Sequence, residues 1–560
     1  MTVMAELALG VIGIVAAFKG AVETGIFIRS FFDAEATESS GLGLYFLIEK
    51  MRLQLWGEHC RVRDSGSCTL RDKPEDLKRL VIQTLGNIER LSRAADDLVK
   101  EYDIATSSVQ GPTNELNDNL HPDSDIVHDI AKLPKAIRPR KRLSWVIYAK
   151  DNFKEKIDAI GRHITYLHQI TLEYRVAELL ENGLPGRVLP NVNNNTNLRT
   201  LGELNPEAHQ SLALSALAKL HHQMASIDPK GSATCVTKSD LQLFGRSSDI
   251  GRLKQPDGAT LTVRVEWNNL GTGPVADAEK YVDRINSLGY ILEKVSEPAL
   301  RLPPCYGVFD DSRNTGHGTR RLGYVFGLPP NDSTRSSGHN IKYETDLCTY
   351  PPIRLSELIR DSKRPIPLLG DRFQLAYVLA CAFSCFHAAG WLHKGFHTGS
   401  IWFFQKRGGR VDVTQPFITG FQYSRPQGES SIAYTPLADR SIEYYYHPDA
   451  DRGFTKKRDL YSLGVVLFEI GRWVILTDLK TTKTKTKEKE KEKKPQDRSE
   501  WRDFMLKGPL VDLGWRVGDK YQSAVRALLE CELPDDEIPH DYFAEQFLEK
   551  VMKPLSSCSA

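Results

Sequence analysis

Between Trp391 and Phe404 the chain reads Trp-Leu-His-Lys-Gly-Phe-His-Thr-Gly-Ser-Ile-Trp-Phe-Phe, which sets His393, Lys394 and Ser400 around a bare Gly395. Side chains of these types suit phosphoryl transfer in part. That reaction asks for a base beside the substrate hydroxyl, ligands for Mg²⁺ and a cation on the phosphates. The stretch offers an imidazole and an ammonium but no carboxylate. His397, Ser400 and Asp412 are the groups that could substitute, and none has the spacing the mechanism needs.

A chain of 560 residues is too long for one hydrophobic core and points to two units. An apolar fraction of 41%, a charged fraction of 26% and a net charge of +2 describe an ordinary soluble protein with no global attraction to nucleic acid. Nine cysteines, an odd number without a Cys-x-x-Cys pair, suggest neither a disulfide framework nor a zinc site. A reducing, cytoplasmic setting is expected.

From Leu7 to Phe18 the sequence carries no charge, but Glu6, Lys19 and Glu23 frame it and it is short of the ~20 residues of a spanning helix. The leading segment has an acid where a signal peptide has basic residues. Two readings stay open: a first helix buried in a bundle, or a helix buried at rest and released into a bilayer through Leu7, Val11, Ile14, Val15 and Phe18. Gly10 and Gly13, with Ala8, Ala16 and Ala17, give it a small face that permits close packing in either setting. Further helical spacing runs over residues 43–57, ending at Gly57, over 74–102, and over 144–180. Lys135, Arg138, Arg140, Lys141 and Arg142 precede the last of these, either as a solvated helix end or as a patch for an anionic leaflet.

The apolar first helix, Leu53-Gln-Leu-Trp-Gly57 and Leu143-Ser-Trp-Val-Ile-Tyr-Ala-Lys-Asp-Asn-Phe-Lys-Glu-Lys-Ile157 resemble the HeLo domains of fungal cell-death and heterokaryon-incompatibility proteins. The resemblance covers residues 1–185 and implies a helical bundle. It also implies membrane activity once the first segment is exposed, at an anionic plasma-membrane surface and with self-association on activation. Residues 186–240 read as a polar linker and a brace helix over 205–224.

From residue 241 the pattern changes to β-branched alternation, notably Thr260-Leu-Thr-Val-Arg-Val-Glu-Trp267, then a helix over 276–295. Arg458-Asp-Leu-Tyr-Ser-Leu-Gly-Val-Val-Leu-Phe-Glu-Ile470, His447-Pro-Asp449 and the opening loop resemble protein kinases. The resemblance implies a small lobe over 241–325, a hinge over 322–330, a large lobe over 331–555 and a charged insertion over 480–498. It sets His393 and Lys394 on the His-Arg pair, Gly395 at the catalytic Asp and Ser400 at the metal-binding Asn. Gly420 falls at the metal-binding Asp, followed by a retained Phe421, and Asn268 at the strand Lys. Asp459 falls on a residue that anchors the loop backbone.

The expected fold is thus an α-helical HeLo-like bundle followed by a bilobal α+β protein-kinase-like fold. The expected function is cell-death signalling by a membrane-active bundle under a degenerate pseudokinase and an upstream signalling protein. No cofactor is required. ATP is the one that the kinase resemblance suggests, against the four replaced groups. An ATP-using kinase with a non-standard site and a passive scaffold are the alternatives.

Overall fold

The structure, a computed structural model, describes residues 2–24, 38–63, 66–101, 150–192, 195–202, 214–225, 232–245, 249–269, 275–295, 297–311, 321–328, 343, 345–406, 408–421, 424–426, 440–479, 495, 497–534 and 540–560. They form two compact units, Met1–His222 and Gln223–Ala560.

The first unit is helical: α1 Thr2–Glu23, α2 Glu38–His59, α3 Glu75–Glu101, α4 Lys150–Thr171, α5 Tyr174–Val188, α6 Asn195–Gly202 and most of α7 Leu214–Ala225, which runs across the boundary at His222. Pro74 precedes α3, whose first turn holds Glu75 and Asp76 at the positive end of the helix dipole. Val81, Leu85, Ile88, Ala95 and Val99 then bury one face, and α4 answers with Phe153, Ile157, Ile160, Ile164 and Leu167 at the same three-and-four spacing. Into this core α1 sends Val11, Ile14, Phe18 and Ala21. It lies against α3 so closely that a Cβ on Gly13 would stand 3.0 Å from Ile82 Cδ1.

Three expectations change here. Gly57 does not end α2; the helix runs on to His59, and Gly57 is needed because a Cβ there would lie 2.2 Å from Phe18 Cζ. The helix expected over 144–180 breaks at Leu172-Glu173, where Glu173 takes an extended conformation, and restarts as α5. The helical unit also continues past residue 185, because Val188, Leu189, Val192, Leu198 and Leu201 are buried and α6 packs on α2. The Lys135–Arg142 cluster and Leu143 to Ala149 lie outside the described residues.

The second unit is bilobal and α+β. Its sheet has the order β1-β5-β6-β4-β3-β2, built from β1 Cys235–Val236, β2 Leu241–Leu243, β3 Ile250–Lys254, β4 Thr260–Asn269, β5 Cys305–Asp310 and β6 Arg321–Phe326. Only the β1–β5 pair is parallel. Val263 and Val265 of β4 join Val236, Leu241, Leu253, Phe309 and Val325 in an apolar cluster on one face. Alternation sends Arg264, Glu266 and Asn268 to the other face. Helix α8, Val275–Lys294, packs on β5. Leu322 to Phe326, expected within the hinge, instead form β6 in the middle of the sheet because they are buried and paired on both sides.

The helical lobe contains β7 Ile353–Arg354, α9 Leu355–Arg360, α10 Leu369–Ala388, β8 Trp391–Leu392, β9 Ile401–Phe403, β10 Phe417–Ile418, β11 Arg425–Pro426, α11 Lys456–Arg472, α12 Arg498–Lys507, α13 Pro509–Val517, α14 Asp519–Leu529, α15 His540–Phe547 and α16 Lys553–Ser556. Helices α10 and α11 are buried on nearly all sides, as centres of a helical layer must be. β9 pairs with β10 on one side and β7 on the other, and Val411-Asp-Val413 stays outside the sheet. Asp412 draws that segment into a turn by accepting from Thr414 N at 3.0 Å, Thr414 Oγ1 at 2.6 Å and Lys406 Nζ at 2.6 Å. Residues 480–494 of the charged insertion lie outside the described residues.

Candidate functional site

The loop after β8 is held from below by Asp459. Thr455 caps α11, its hydroxyl accepting from Arg458 N at 3.3 Å, and so fixes the first turn on which Asp459 stands. The Asp459 carboxylate accepts from His393 N at 3.0 Å and Lys394 N at 2.8 Å, and faces His387 Nε2 at 3.0 Å. These bonds hold Lys394 in a left-handed conformation, φ 61°, with its ammonium turned to the Phe454 ring.

The His393 ring points into the lobe. Its Nε2 lies 2.9 Å from the Thr419 carbonyl, which assigns the proton to that nitrogen, and the ring packs on Phe421 and Phe396. Burial pulls its pKa below the ordinary value against the opposing Asp459 charge. A neutral imidazole wedged among aromatic rings is a brace rather than a base for a bound hydroxyl.

At the other positions the side chains have closed the space. Gly420 has φ 85°, and a Cβ there would stand 2.6 Å from Ser400 Oγ. The two positions that the kinase resemblance assigns to metal ligands are therefore pressed together, and the residues present do not fit a metal. Among the described residues no cluster of His, Cys, Asp and Glu is placed to hold one. Gly395 offers only its carbonyl, which accepts from Ser400 Oγ at 3.4 Å. Phe421 is fully buried against Trp391 and Phe386. All three candidate substitutes are engaged, Ser400 in its bond to the Gly395 carbonyl, His397 as acceptor from Gly399 N at 3.0 Å and Asp412 in its turn.

The strand position needs correction. Asn268 does not reach the loop; it is buried, and neither its amide nitrogen nor its oxygen has a partner among the described residues. Glu266, two residues earlier on the same face, is the side chain that arrives, its Oε1 accepting from Gly420 N at 2.8 Å. Burial pushes its carboxyl up to about 7 although the Gly420 bond and the charges of Arg354 and Arg264 pull it down. Next to it, Arg264 donates to Asp249 Oδ2 at 2.8 Å and to the Pro352 carbonyl at 2.7 Å, over the Trp402 ring. Sequence reasoning missed both. Their signal was present: two charges at alternate positions of a strand whose other face reads Val-Val-Trp.

The second candidate surface is α1. Val11, Ile14 and Phe18 are buried in the bundle, Val15 is half-buried, and the Leu7 side chain lies outside the described residues. Phe18 sits 5.9 Å from the Trp56 ring, which is itself tied by Nε1 to Thr171 Oγ1 at 2.8 Å. The outward residue is Ile12, 55% exposed. Among the described residues no helix is long and apolar enough to cross a membrane.

Residues 7–201 match the HeLo family model, described as prion-inhibition and propagation. The matched span falls within the first unit, so the likeness is of that unit: the chain carries a HeLo-type helical region followed by a bilobal α+β region. HeLo domains are linked to fungal cell-death and incompatibility signalling. No curated protein matches the chain.

Proposed function

We propose that this is a fungal cell-death or incompatibility-type signalling protein whose helical unit becomes membrane-active when α1 is released, under control of a kinase-like second unit without phosphoryl-transfer chemistry. The observation that carries the membrane part is the arrangement of α1, an apolar helix whose Val11, Ile14 and Phe18 are covered by neighbours. The match to the HeLo model supports the signalling class. The kinase-like reading is supported by the strand order, by α8 packed on the sheet and by the Asp459-held loop. Loss of the reaction is supported by Glu266 facing Gly420, which puts a carboxyl where phosphates would need a cation.

The released bundle acts on an anionic surface of the plasma membrane and self-associates there, and the protein rests in the cytoplasm until an upstream signalling protein binds the second unit. Anionic vesicles loaded with dye test this. The chain cut after His222 releases dye, the full chain releases far less, and removal of residues 1–18 abolishes release. Vesicles left intact by the cut chain would end the membrane reading.

A further inference from the structure

Besides Arg301, which donates to Gln415 Oε1 at 2.9 Å and accepts from Ile418 N at 2.7 Å, side chains of a single strand fasten the two lobes of the second unit. Arg264 and Glu266 stand two apart on β4 and leave the same face of the sheet. Arg264 is 8% exposed and reaches three separate segments. It bonds Asp249 Oδ2 at 2.8 Å in the turn entering β3, it bonds the Pro352 carbonyl at 2.7 Å just before β7, and its guanidinium carbon lies 4.4 Å from the centre of the Trp402 ring in β9. Phe326 of β6 closes on Trp402 edge-on at 6.1 Å. Glu266 makes the second attachment, 2.8 Å to Gly420 N beyond β10.

A guanidinium is flat, stacks on indole and points hydrogen bonds along its edge. A purine base would enter a crevice between two lobes with the same features: a face on an aromatic floor and an edge toward the backbone of the joining segment. Here the protein's own side chain has that position. Further in, the Glu266 carboxyl would repel a phosphate chain whenever it is ionised.

We propose that Arg264 and Glu266 form a built-in clasp that takes the place of a nucleotide between the lobes and holds the second unit closed without any ligand. The nucleotide half of this statement rests on the kinase-like reading given above; the clasp half rests on the bonds alone.

Thermal unfolding of the full chain with ATP and Mg²⁺, combined with amide hydrogen exchange, tests both halves. The wild type shows no saturable shift with ATP. Arg264→Ala raises exchange in residues 351–358 and 401–404 by about tenfold while α11 keeps its protection. Arg264→Lys, which keeps the charge and loses the planar fork, behaves like the alanine variant. Should Arg264→Ala fail to fold, Asp249→Asn removes one of the three attachments and raises the same exchange about threefold. Exchange within about twofold of wild type in the folded variants overturns the clasp. A saturable ATP shift above ~2 °C in the wild type overturns the exclusion of nucleotide. The double variant Arg264→Ala/Glu266→Lys separates the two halves. It gains ATP binding if the clasp sits in a nucleotide position; a folded double variant with raised exchange and no ATP binding overturns the nucleotide half and leaves the clasp standing.

Discussion

One face of helix α1 and the loop from His393 to Ser400 are buried, and they are kept in place by opposite means. Among the described side chains of α1, from Gly10 onward, the core contacts are apolar: Val11, Ile14, Phe18 and Ala21, with Phe18 on Trp56 and over Gly57. The Lys19–Glu23 ion pair is internal to the helix and exposed. The loop instead hangs on polar bonds to one carboxylate, with the half-buried Glu266 on one side and the fully buried Glu469 on the other. Apolar packing has no fixed direction, so a helix held that way can exchange one apolar environment for another at small net cost. A buried carboxylate bonded to two backbone N–H groups has no second place to go. The difference makes α1, and not the loop, the element whose release the proposal can invoke.

Removing the anchor should give the largest effect. Asp459→Ala leaves the His393 and Lys394 N–H groups and His387 Nε2 without their buried acceptor and is expected to destabilise the second unit by about 3–5 kcal/mol. Denaturant titration, with the bundle transition as an internal reference, measures it. A loss below ~1 kcal/mol would mean the loop is held by its aromatic packing rather than by the carboxylate.

Titration sharpens the contrast. Glu266 and Glu469 are both pushed up to about 7 by burial, from an ordinary 4.5. Between those values the folded chain keeps protons that the unfolded chain has released, so their contribution weakens as pH rises through that window and levels off above it. In the bundle His168, pulled down to about 4 by burial and by Arg52, acts in the opposite sense: stability grows as pH climbs from about 4 toward 6.5. Within the second unit His393 and His447, also pulled down by burial, offset part of the carboxyl effect. The clean measure is therefore a difference. Glu266→Gln keeps an acceptor for Gly420 N without the charge, and is expected to gain about 1–3 kcal/mol on wild type between pH 5 and pH 8. A flat difference would show that Glu266 titrates as an ordinary acid.

The helices of both units were legible because burial on one face leaves a three-and-four spacing, as in Leu77 to Leu98 or along α11. The loop, Gly420 and Asp459 could be picked out because they follow the order of the kinase pattern, and in the fold Gly420 and Asp459 do lie against the loop. What escaped depended on distance in sequence. Nothing near Arg264 announces Pro352 or Trp402, and the alternation of β4 allows either Glu266 or Asn268 to face Gly420 until the strand register with β6 is fixed. Gly57 misled for a related reason: a glycine at the end of an apolar pattern reads as a stop, whereas here the ring it makes room for lies on another helix.

Crowding Phe18 tests the apolar side of the contrast. Gly57→Ala puts a methyl where the Phe18 ring lies, 2.2 Å from Cζ, so α1 must shift or leave. The bundle is expected to lose about 1–2 kcal/mol, and binding to anionic vesicles to rise as the helix is freed. Far-ultraviolet circular dichroism with vesicle co-sedimentation reads both. Destabilisation without added vesicle binding would show that α1 leaves its place only by global unfolding.

Ile12 gives the smallest effect on the fold and the sharpest one on the proposal. It is 55% exposed on α1, away from the buried Val11, Ile14 and Phe18, and the resting bundle gains little from it. Ile12→Asp is therefore expected to change stability by no more than about 0.5 kcal/mol. A bilayer would have to bury the same position, where an aspartate costs about 2.5–3.5 kcal/mol at mid-depth on insertion scales. Dye release by the cut chain should then fall roughly a hundredfold while its unfolding midpoint stays put, since each ~1.4 kcal/mol is a factor of ten. Undiminished release would place Ile12 outside the membrane-facing surface and return α1 to the role of an ordinary core helix, held by the same packing but with nowhere else to go.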